Sequence, residues 1–471
     1  MYIEQIYTGC LSEASYYIEN DGEAAIIDPM RDTELYLRLA KERNTTIKYI
    51  FETHFHADFV SGHIDLAAAT SAPIIYGPYA KTAFKATIAQ DGQIFPLGNV
   101  EIEVLHTPGH TMESSCFLLK NEDQQPYALF TGDTLFIGDV GRPDLAQQGS
   151  LYTTTDLAGI LYDSLQEKIM TLPDNVLIYP AHGAGSSCGK NLSSETVSTV
   201  KEQKETNYAL QAKSRGEFIT LVTDGLVAPP AYFPINAEIN KKGYDKLDDI
   251  LRKGLTPISV PDFKEMAKNT NTIVLDTRPQ SEFTEGFVPG ALFIGLDGRF
   301  AEWAGSLLPF DRNIVLVTEP GKEQETIVRL ARVGFDKIIG YLDGGYPAWK
   351  NAGEKSDLIV NIQPDELAMD YHFDENIIVV DVRNEREYGD QHIKRAVNFP
   401  LDKLADPAAY LSDVDDSFNL YIHCAGGYRS VIAASLIKKQ GFHNLRNVVG
   451  GFNEIKAATK IPLEKSKETA N

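Results

Sequence analysis

The C-terminal half of this chain is written twice. VLDTRPQSEFTEGFVPGALFIGL (Val274 to Leu296) returns as VVDVRNEREYGDQHIKRAVNFPL (Val379 to Leu401), and GGYPAWK (Gly344 to Lys350) returns as GGFNEIK (Gly450 to Lys456). A duplication of this extent requires two copies of one folding unit. Each copy opens on an apolar run ending in Asp-x-Arg (TIVLDTR, IIVVDVR), passes through a polar helix-like stretch, and reaches a second apolar run (NIVLVT, NLYIHC). A helical pattern then stops at Gly334 or Gly441, as a helix with a glycine cap does. Apolar strands alternating with helices predict small α/β domains, each a parallel sheet with helices on its faces.

The 471 residues exceed one core, since single domains run to about 100 to 200 residues, so a further domain precedes the repeats. There SYYIENDGEAAIIDP reads as a β-hairpin turning at Asn20-Asp21-Gly22. Four later strands end just before polar clusters: IKYIFETHFH, VEIEVLHTPGH, YALFTGD and NVLIYPAHG. Each delivers histidine or aspartate at a carboxyl end, where layered α/β proteins build ligand sites. APPAYFPINAEINKKG (Ala228 to Gly243), rich in Pro, Asn and Lys, reads as the linker to the repeats.

A net charge of -22 repels polyanions, which argues against nucleic acid or anionic membrane as partners and leaves any anionic substrate to local positive groups. The N-terminus lacks a basic start followed by an apolar run, and no stretch approaches the roughly 18 apolar residues of a membrane span, so a cytoplasmic location is expected. Cys10, Cys116, Cys188 and Cys424 stand far apart with no CxxC pair, which disfavours a disulfide framework and a structural zinc site. Cys10 and Cys116, on strand-like runs, are expected in the core.

THFHADFVSGH (Thr53 to His63) gathers three histidines and an aspartate. The set HFHAD, PGH, GD and PAHG resembles the metallo-β-lactamase superfamily, which implies an αββα sandwich over residues 1–240. The residues carried over are His54, His56, Asp58, His110, Asp133 and His182. Binuclear members have histidine where this chain has Phe59, and a phenyl ring cannot ligate a metal. His63 could replace it only through a distorted loop, so one metal is expected. FTGDTLFIGDVGRPD, with EKIMTLPDNVLIYPAHG and TVSTVKEQKETN, is similar to the persulfide dioxygenase branch. That resemblance implies one Fe(II) per chain on His54, His110 and Asp133, with His56, Asp58 and His182 in outer positions. Two histidines and a carboxylate on one face leave positions open for substrate and dioxygen, whereas zinc has no redox chemistry. A binuclear zinc thioester hydrolase of glyoxalase II type and a non-enzymatic persulfide-binding regulator are the alternatives.

Arg142, in GRPD, matches a family position near the iron and either steadies an anionic persulfide or forms a loop salt bridge. Cys188, in AHGAGSSCGKN, either carries sulfur at the mouth of the iron site or is a passive loop thiol.

YIHCAGGYRSVIAASLIKKQGF sets Cys424 at a helix N-terminus inside a ring of backbone N–H groups, a setting that stabilises an anionic sulfur. CxxGxR, DVRNEREY and GGFNEIK resemble rhodaneses. A Cys-based phosphatase places five residues between Cys and Arg, and here only AGGY intervenes. The resemblance makes Cys424 the nucleophile and Arg429 the holder of a sulfonate or charged tail. Arg395 departs from it, standing where rhodaneses usually carry glycine. The first repeat has VLVTEPGKEQE in place of the loop and no cysteine.

The expected architecture is thus a metallo-β-lactamase-fold domain (1–240), a rhodanese-like domain lacking the catalytic cysteine (255–355) and an active rhodanese domain (356–465). The expected reaction is oxidation of a small thiol persulfide by O2 to sulfite, coupled to sulfur transfer involving thiosulfate, in sulfide detoxification. A homo-oligomer of two or four chains is the expected assembly.

Overall fold

In the computed structural model of this chain, residues 1–145, 151–190, 192–404, 417–458 and 460–466 are described. The chain divides into two compact units, Met1–Asp248 with Leu330–Gly334, and Asp249–Arg329 with Phe335–Asn471.

The first unit holds two six-stranded sheets. In one, Tyr2–Thr8, Glu13–Asn20, Glu23–Ile27, Thr46–Glu52, Ile74–Tyr76 and Thr87–Ile88 lie side by side in chain order. Asn20 pairs with Glu23 across the hairpin, and Asp21 and Gly22 take φ of 48° and 78°, the positive values that a two-residue primed turn demands. The other sheet runs from Ile94–Leu97 through Val100–His106, Ser115–Lys120, Pro126–Gly132 and Leu177–Pro180 to Ser198–Thr199.

Alternate residues explain the layering. Tyr16 and Ile18 meet Val104, Phe117 and Phe130 of the opposite sheet, while Tyr17 between them packs outward with Tyr36 of helix Glu34–Glu42. Leu118 and Leu129 face outward from the second sheet onto Ala158 and Leu161 of helix Thr154–Ser164. Sheets covered by helices on their outer faces form the αββα sandwich. Burial on both faces is why these strands read as nearly unbroken apolar runs. Cys116 is fully buried on Ser115–Lys120, but Cys10 lies in the turn after the first strand and is only half-buried, so it is not a core residue.

Ala228 to Gly243 is not a linker. Phe233–Lys242 is a helix, begun by Pro234 in its first turn, with Phe233, Asn236 and Asn240 buried. Proline tolerated at a helix start and asparagines turned inward explain why composition misleads here.

The second unit repeats one topology. The sheet Pro257–Ile258, Ile338–Leu342, Asn313–Val317, Thr272–Asp276, Leu292–Phe293 is matched strand for strand by Val360–Ile362, Leu445–Val448, Asn419–His423, Ile377–Asp381, Val397–Asn398, all parallel. The repeated Asp-x-Arg is a structural lock. Arg278 Nη2 lies 2.7 Å from Asp276 Oδ2 and donates to Gly286 O at 2.9 Å; Arg383 Nη2 lies 2.6 Å from Asp381 Oδ2 and donates to Gln391 O at 2.8 Å. Arg395 adopts φ of 65°, and Gly290, its counterpart in the other copy, 79°. That left-handed backbone is the reason glycine is usual at this position. Among the described residues no helix is long and apolar enough to cross a membrane.

Removing either lock carboxylate strands a buried guanidinium. Asp276→Ala and Asp381→Ala should each destabilise their own repeat by about 3 to 5 kcal/mol, read as a lower urea midpoint for the transition that carries it. Unchanged midpoints would remove the lock from the account.

Candidate metal centre and cysteine loop

Four strand ends converge in the first unit, as the sequence pattern predicts. Thr46–Glu52 delivers His54, the turn after Val100–His106 carries His110, Pro126–Gly132 delivers Asp133, and Leu177–Pro180 delivers His182. Glycine permits the approach. A Cβ on Gly132 would come within 2.6 Å of the Thr53 side chain, and one on Gly141 within 1.8 Å of Asp133 O.

His54, His110 and Asp133 bring their ligand atoms within 4.8 Å of one another, all buried. His110 Nε2 lies 3.5 Å, and His54 Nε2 3.9 Å, from Asp133 Oδ2. Donors about 2.1 Å from a shared ion stand roughly 3.0 to 3.4 Å apart, so a small contraction fits the set to one metal. The other ring nitrogens are already committed. His54 Nδ1 donates to Thr53 Oγ1 at 3.0 Å, which in turn donates to Asp28 Oδ2 at 2.8 Å, and His110 Nδ1 donates to Arg142 O at 2.9 Å. With both Nδ1 hydrogens occupied, each Nε2 keeps its lone pair for a cation. Burial, followed by the neighbouring His56 and His110, holds the His54 pKa well below its ordinary value, in the neutral form that ligates. Both Asp133 oxygens are buried without a hydrogen-bond partner, a cost that a bound cation removes.

The remaining histidines sort themselves by partner. Phe59 is fully buried with its ring 4.4 Å from that of His56. His63, at the start of helix His63–Thr70, faces Glu52 at 3.5 Å and takes no part in the triad. His56 Nε2 sits 3.0 Å from Asp28 Oδ1 and 3.7 Å from Glu52 Oε2. Burial opposes its charge, but Asp28 and the other carboxylates raise its pKa to about 10.

Asp58, His182 and Cys188 form a second buried cluster. His182 Nε2 is 3.5 Å from Asp58 Oδ2 and 3.4 Å from Asp133 Oδ1, while Nδ1 faces Glu13 Oε2 at 3.0 Å and Ser12 O at 3.1 Å. Burial lifts the Glu13 carboxyl to about 8 against the pull of His182. Burial, then Asp58, pushes the Cys188 thiol far up, so it faces Asp58 and His182 as a protonated thiol. Arg142 is a brace: it forms a bidentate pair with Asp144 and donates to Ser187 O and Val227 O, and its backbone N–H donates to Cys188 O. The salt bridge to Asp144 is thus made in this structure.

Sequence spacing could not reveal Asn240. Its Nδ2 donates to His56 O and Phe59 O, both at 2.8 Å, and its Oδ1 accepts from Ser61 N at 3.0 Å, a grip reaching across 184 residues. Glu13 and Glu52 were equally silent. Asp28 was not, because AAIIDP is one more strand ending in an acid.

In the last repeat, Cys424 follows Asn419–His423, and Gly427 N donates to its Sγ at 3.0 Å. Gly427, with φ of 107°, opens helix Tyr428–Lys439. The loop carbonyls are taken elsewhere: Cys424 O accepts from Phe452 N at 2.6 Å and Ala425 O from Asn453 N at 3.1 Å. Arg429 is bidentate to Glu387, at 2.7 and 2.8 Å, so in this structure it braces the loop. Thr318 holds the Cys424 position in the other copy, which also grips the loop: Gln280 Nε2 donates to Gly427 O at 3.2 Å, and Tyr428 OH donates to Gly295 O at 2.9 Å.

Residues 8–182 match the metallo-beta-lactamase superfamily, and 259–352 and 364–458 each match the rhodanese-like domain. The persulfide dioxygenase ETHE1, mitochondrial, of Mus musculus is 32% identical over 221 residues, 47% of this chain and 79% of that protein. The chain belongs to the metallo-β-lactamase superfamily. This superfamily member carries two rhodanese-like domains after its sandwich. A probable hydroxyacylglutathione hydrolase of Schizosaccharomyces pombe is also 32% identical, over 190 residues, 39% of this chain and 69% of that protein. The crystal structure of a metallo-beta-lactamase from Staphylococcus aureus subsp. aureus COL is 34% identical, with a TM-score of 0.65, covering 72% of this chain and 98% of that one.

His110→Ala and Asp133→Ala should each lose the metal, while Asp58→Ala retains most of it, by elemental analysis of anaerobically purified protein. Thr53→Val, which strips His54 Nδ1 of its acceptor, should weaken metal affinity about 10- to 100-fold. Equal loss in the Asp58, His110 and Asp133 variants would mean that inner and outer groups are misassigned.

Proposed function

We propose that this chain oxidises the outer sulfur of a small thiol persulfide at a single ferrous iron, and that Cys424 moves sulfane sulfur between persulfide and thiosulfate. The observation that carries the reading is the triad His54, His110 and Asp133, with Phe59 buried against His56 and His63 turned to Glu52. Relatives at equal identity act as hydrolases or as dioxygenases by name, so the donor set has to decide between them. Iron, when bound, supplies open positions for persulfide and O2 together and the electron transfer that zinc lacks.

Overall, RSSH, O2 and H2O give RSH, sulfite and two protons. Asp133 would offset the charge of the ion, and the Thr53 and Arg142 acceptors would keep both histidines neutral and oriented. Asp58, 3.5 Å from His182, is placed to take up a released proton, and Cys188 stands beside the pair as a protonated thiol. In the last domain, the Cys424 sulfur would attack the outer sulfur of thiosulfate and expel sulfite, leaving a protein persulfide that a thiol collects; the reverse run makes thiosulfate. The Cys-less copy would hold the loop through Gln280 and Tyr428. A cytoplasmic location, with which four unpaired cysteines accord, and a role in sulfide detoxification complete the proposal.

One observation favours a second reading, a two-metal thioester hydrolase: Asp58, His182 and Cys188 could hold another ion beside Asp133. Metal stoichiometry separates the two.

Cys424→Ser should still consume O2 with a supplied persulfide, yet lose thiosulfate sulfurtransferase activity and shift its products toward free sulfite. Oxygen uptake, sulfite and thiosulfate would be followed together, with Cys188→Ser in parallel. Full transferase activity in Cys424→Ser, or its loss in Cys188→Ser alone, would assign the nucleophile elsewhere.

A further inference from the structure

Helix Tyr428–Lys439, which the Cys424 loop opens into, is buried at every residue from Ser430 to Ile437. A helix buried all round needs a second partner besides its own sheet. The repeat without cysteine supplies it. Phe293, on the edge strand Leu292–Phe293 of that repeat, donates its backbone N–H to Ser435 Oγ at 3.0 Å, and its ring stands 6.0 Å from that of Tyr428. At the start of the helix, Tyr428 OH donates to Gly295 O at 2.9 Å and Gln280 Nε2 donates to Gly427 O at 3.2 Å. The counterparts of these residues turn inward instead. Lys322 and Arg329, which stand at the Tyr428 and Ser435 positions of the other copy, bind Glu325 and Leu296 O of their own repeat. Glu385, at the Gln280 position, accepts from Lys403 of its own repeat.

The point of attachment gives these ties a chemical meaning. Gly427 N donates to Cys424 Sγ at 3.0 Å, and Gly427, at φ of 107°, is the residue of the loop with the greatest backbone freedom. Its N–H keeps one direction only if the rest of the residue is held. Ser430 Oγ also donates to Gly427 O, at 2.7 Å, but that bond lies within one helical turn and travels with the loop. Gln280 reaches the same oxygen from another sheet, and Tyr428, the next residue, is anchored to the same repeat.

We propose that the repeat without cysteine is half of the sulfurtransferase site, with Gln280 and Tyr428 as positioning residues that aim the Cys424 sulfur through Gly427. The proposal rests on the sulfur-transfer reading of Cys424. In the step concerned, the Cys424 thiolate forms an S–S bond to the outer sulfur of thiosulfate, whose own S–S bond breaks as sulfite leaves with the electron pair. Because the tied N–H orients the attacking sulfur, its loss slows that step and leaves capture of thiosulfate nearly intact.

The test is single-turnover release of sulfite from thiosulfate by the whole chain, followed at varied thiosulfate and expressed per active site from the amount of sulfite released. Gln280→Met and Tyr428→Phe each delete one tie while keeping the bulk of the side chain. The maximal rate per site should fall about tenfold in each, the effect of one lost hydrogen bond, with half-saturating thiosulfate within about twofold of wild type. The urea midpoints should stay at the wild-type value. A maximal rate per site equal to wild type in both variants, a change confined to half-saturation, or a fall in rate matched by a fall in urea midpoint overturns the proposal. Failure of the sulfur-transfer reading itself would appear separately, as no sulfite release by wild type.

Discussion

Two imidazoles can share one cation only if both are neutral and each turns a free lone pair to the same point. In this chain the far side of each ring sets its orientation: Thr53, backed by Asp28, occupies Nδ1 of His54, and the Arg142 carbonyl occupies Nδ1 of His110. Much of the first unit follows from holding those acceptors still. Gly132 and Gly141 let the strand ends close up, Arg142 ties its own turn to the Cys188 loop, and Asn240 fixes the turn bearing Asp58 and Phe59. His56, claimed by Asp28 and Glu52, is directed away from that task.

What could be read in the sequence was whatever repeats or whatever sits at the end of an apolar run. The duplication showed itself through Asp-x-Arg and the paired glycines, because a buried ion pair and a left-handed turn tolerate few substitutions. His54, His110, Asp133 and His182 were legible because each follows its strand directly. Asn236 and Asn240 were not, since a helix rich in Asn and Lys that begins with proline has the composition of a linker. Nor could spacing show that Arg142 and Arg429 face Asp144 and Glu387, because the partner of a guanidinium is fixed by packing.

The two repeats show how one fold can keep its frame and change its chemistry. They share strand order, the Asp-x-Arg lock and a helix after the second apolar run, yet one has Cys424 and Arg429 where the other has Thr318 and Glu323. Because the frame depends on the lock and the sheet, the loop is free to differ. The copy without cysteine still contributes, through Gln280 and Gly295, to the wall of the loop that has one.

All of the proposed oxidation chemistry depends on one redox metal held by His54, His110 and Asp133. Anaerobically purified protein should contain about one iron per chain and consume O2 with a thiol persulfide to yield sulfite, and replacing the iron with zinc should abolish that uptake. Two tightly bound zinc ions per chain, with thioester hydrolysis and no O2 uptake, would contradict it.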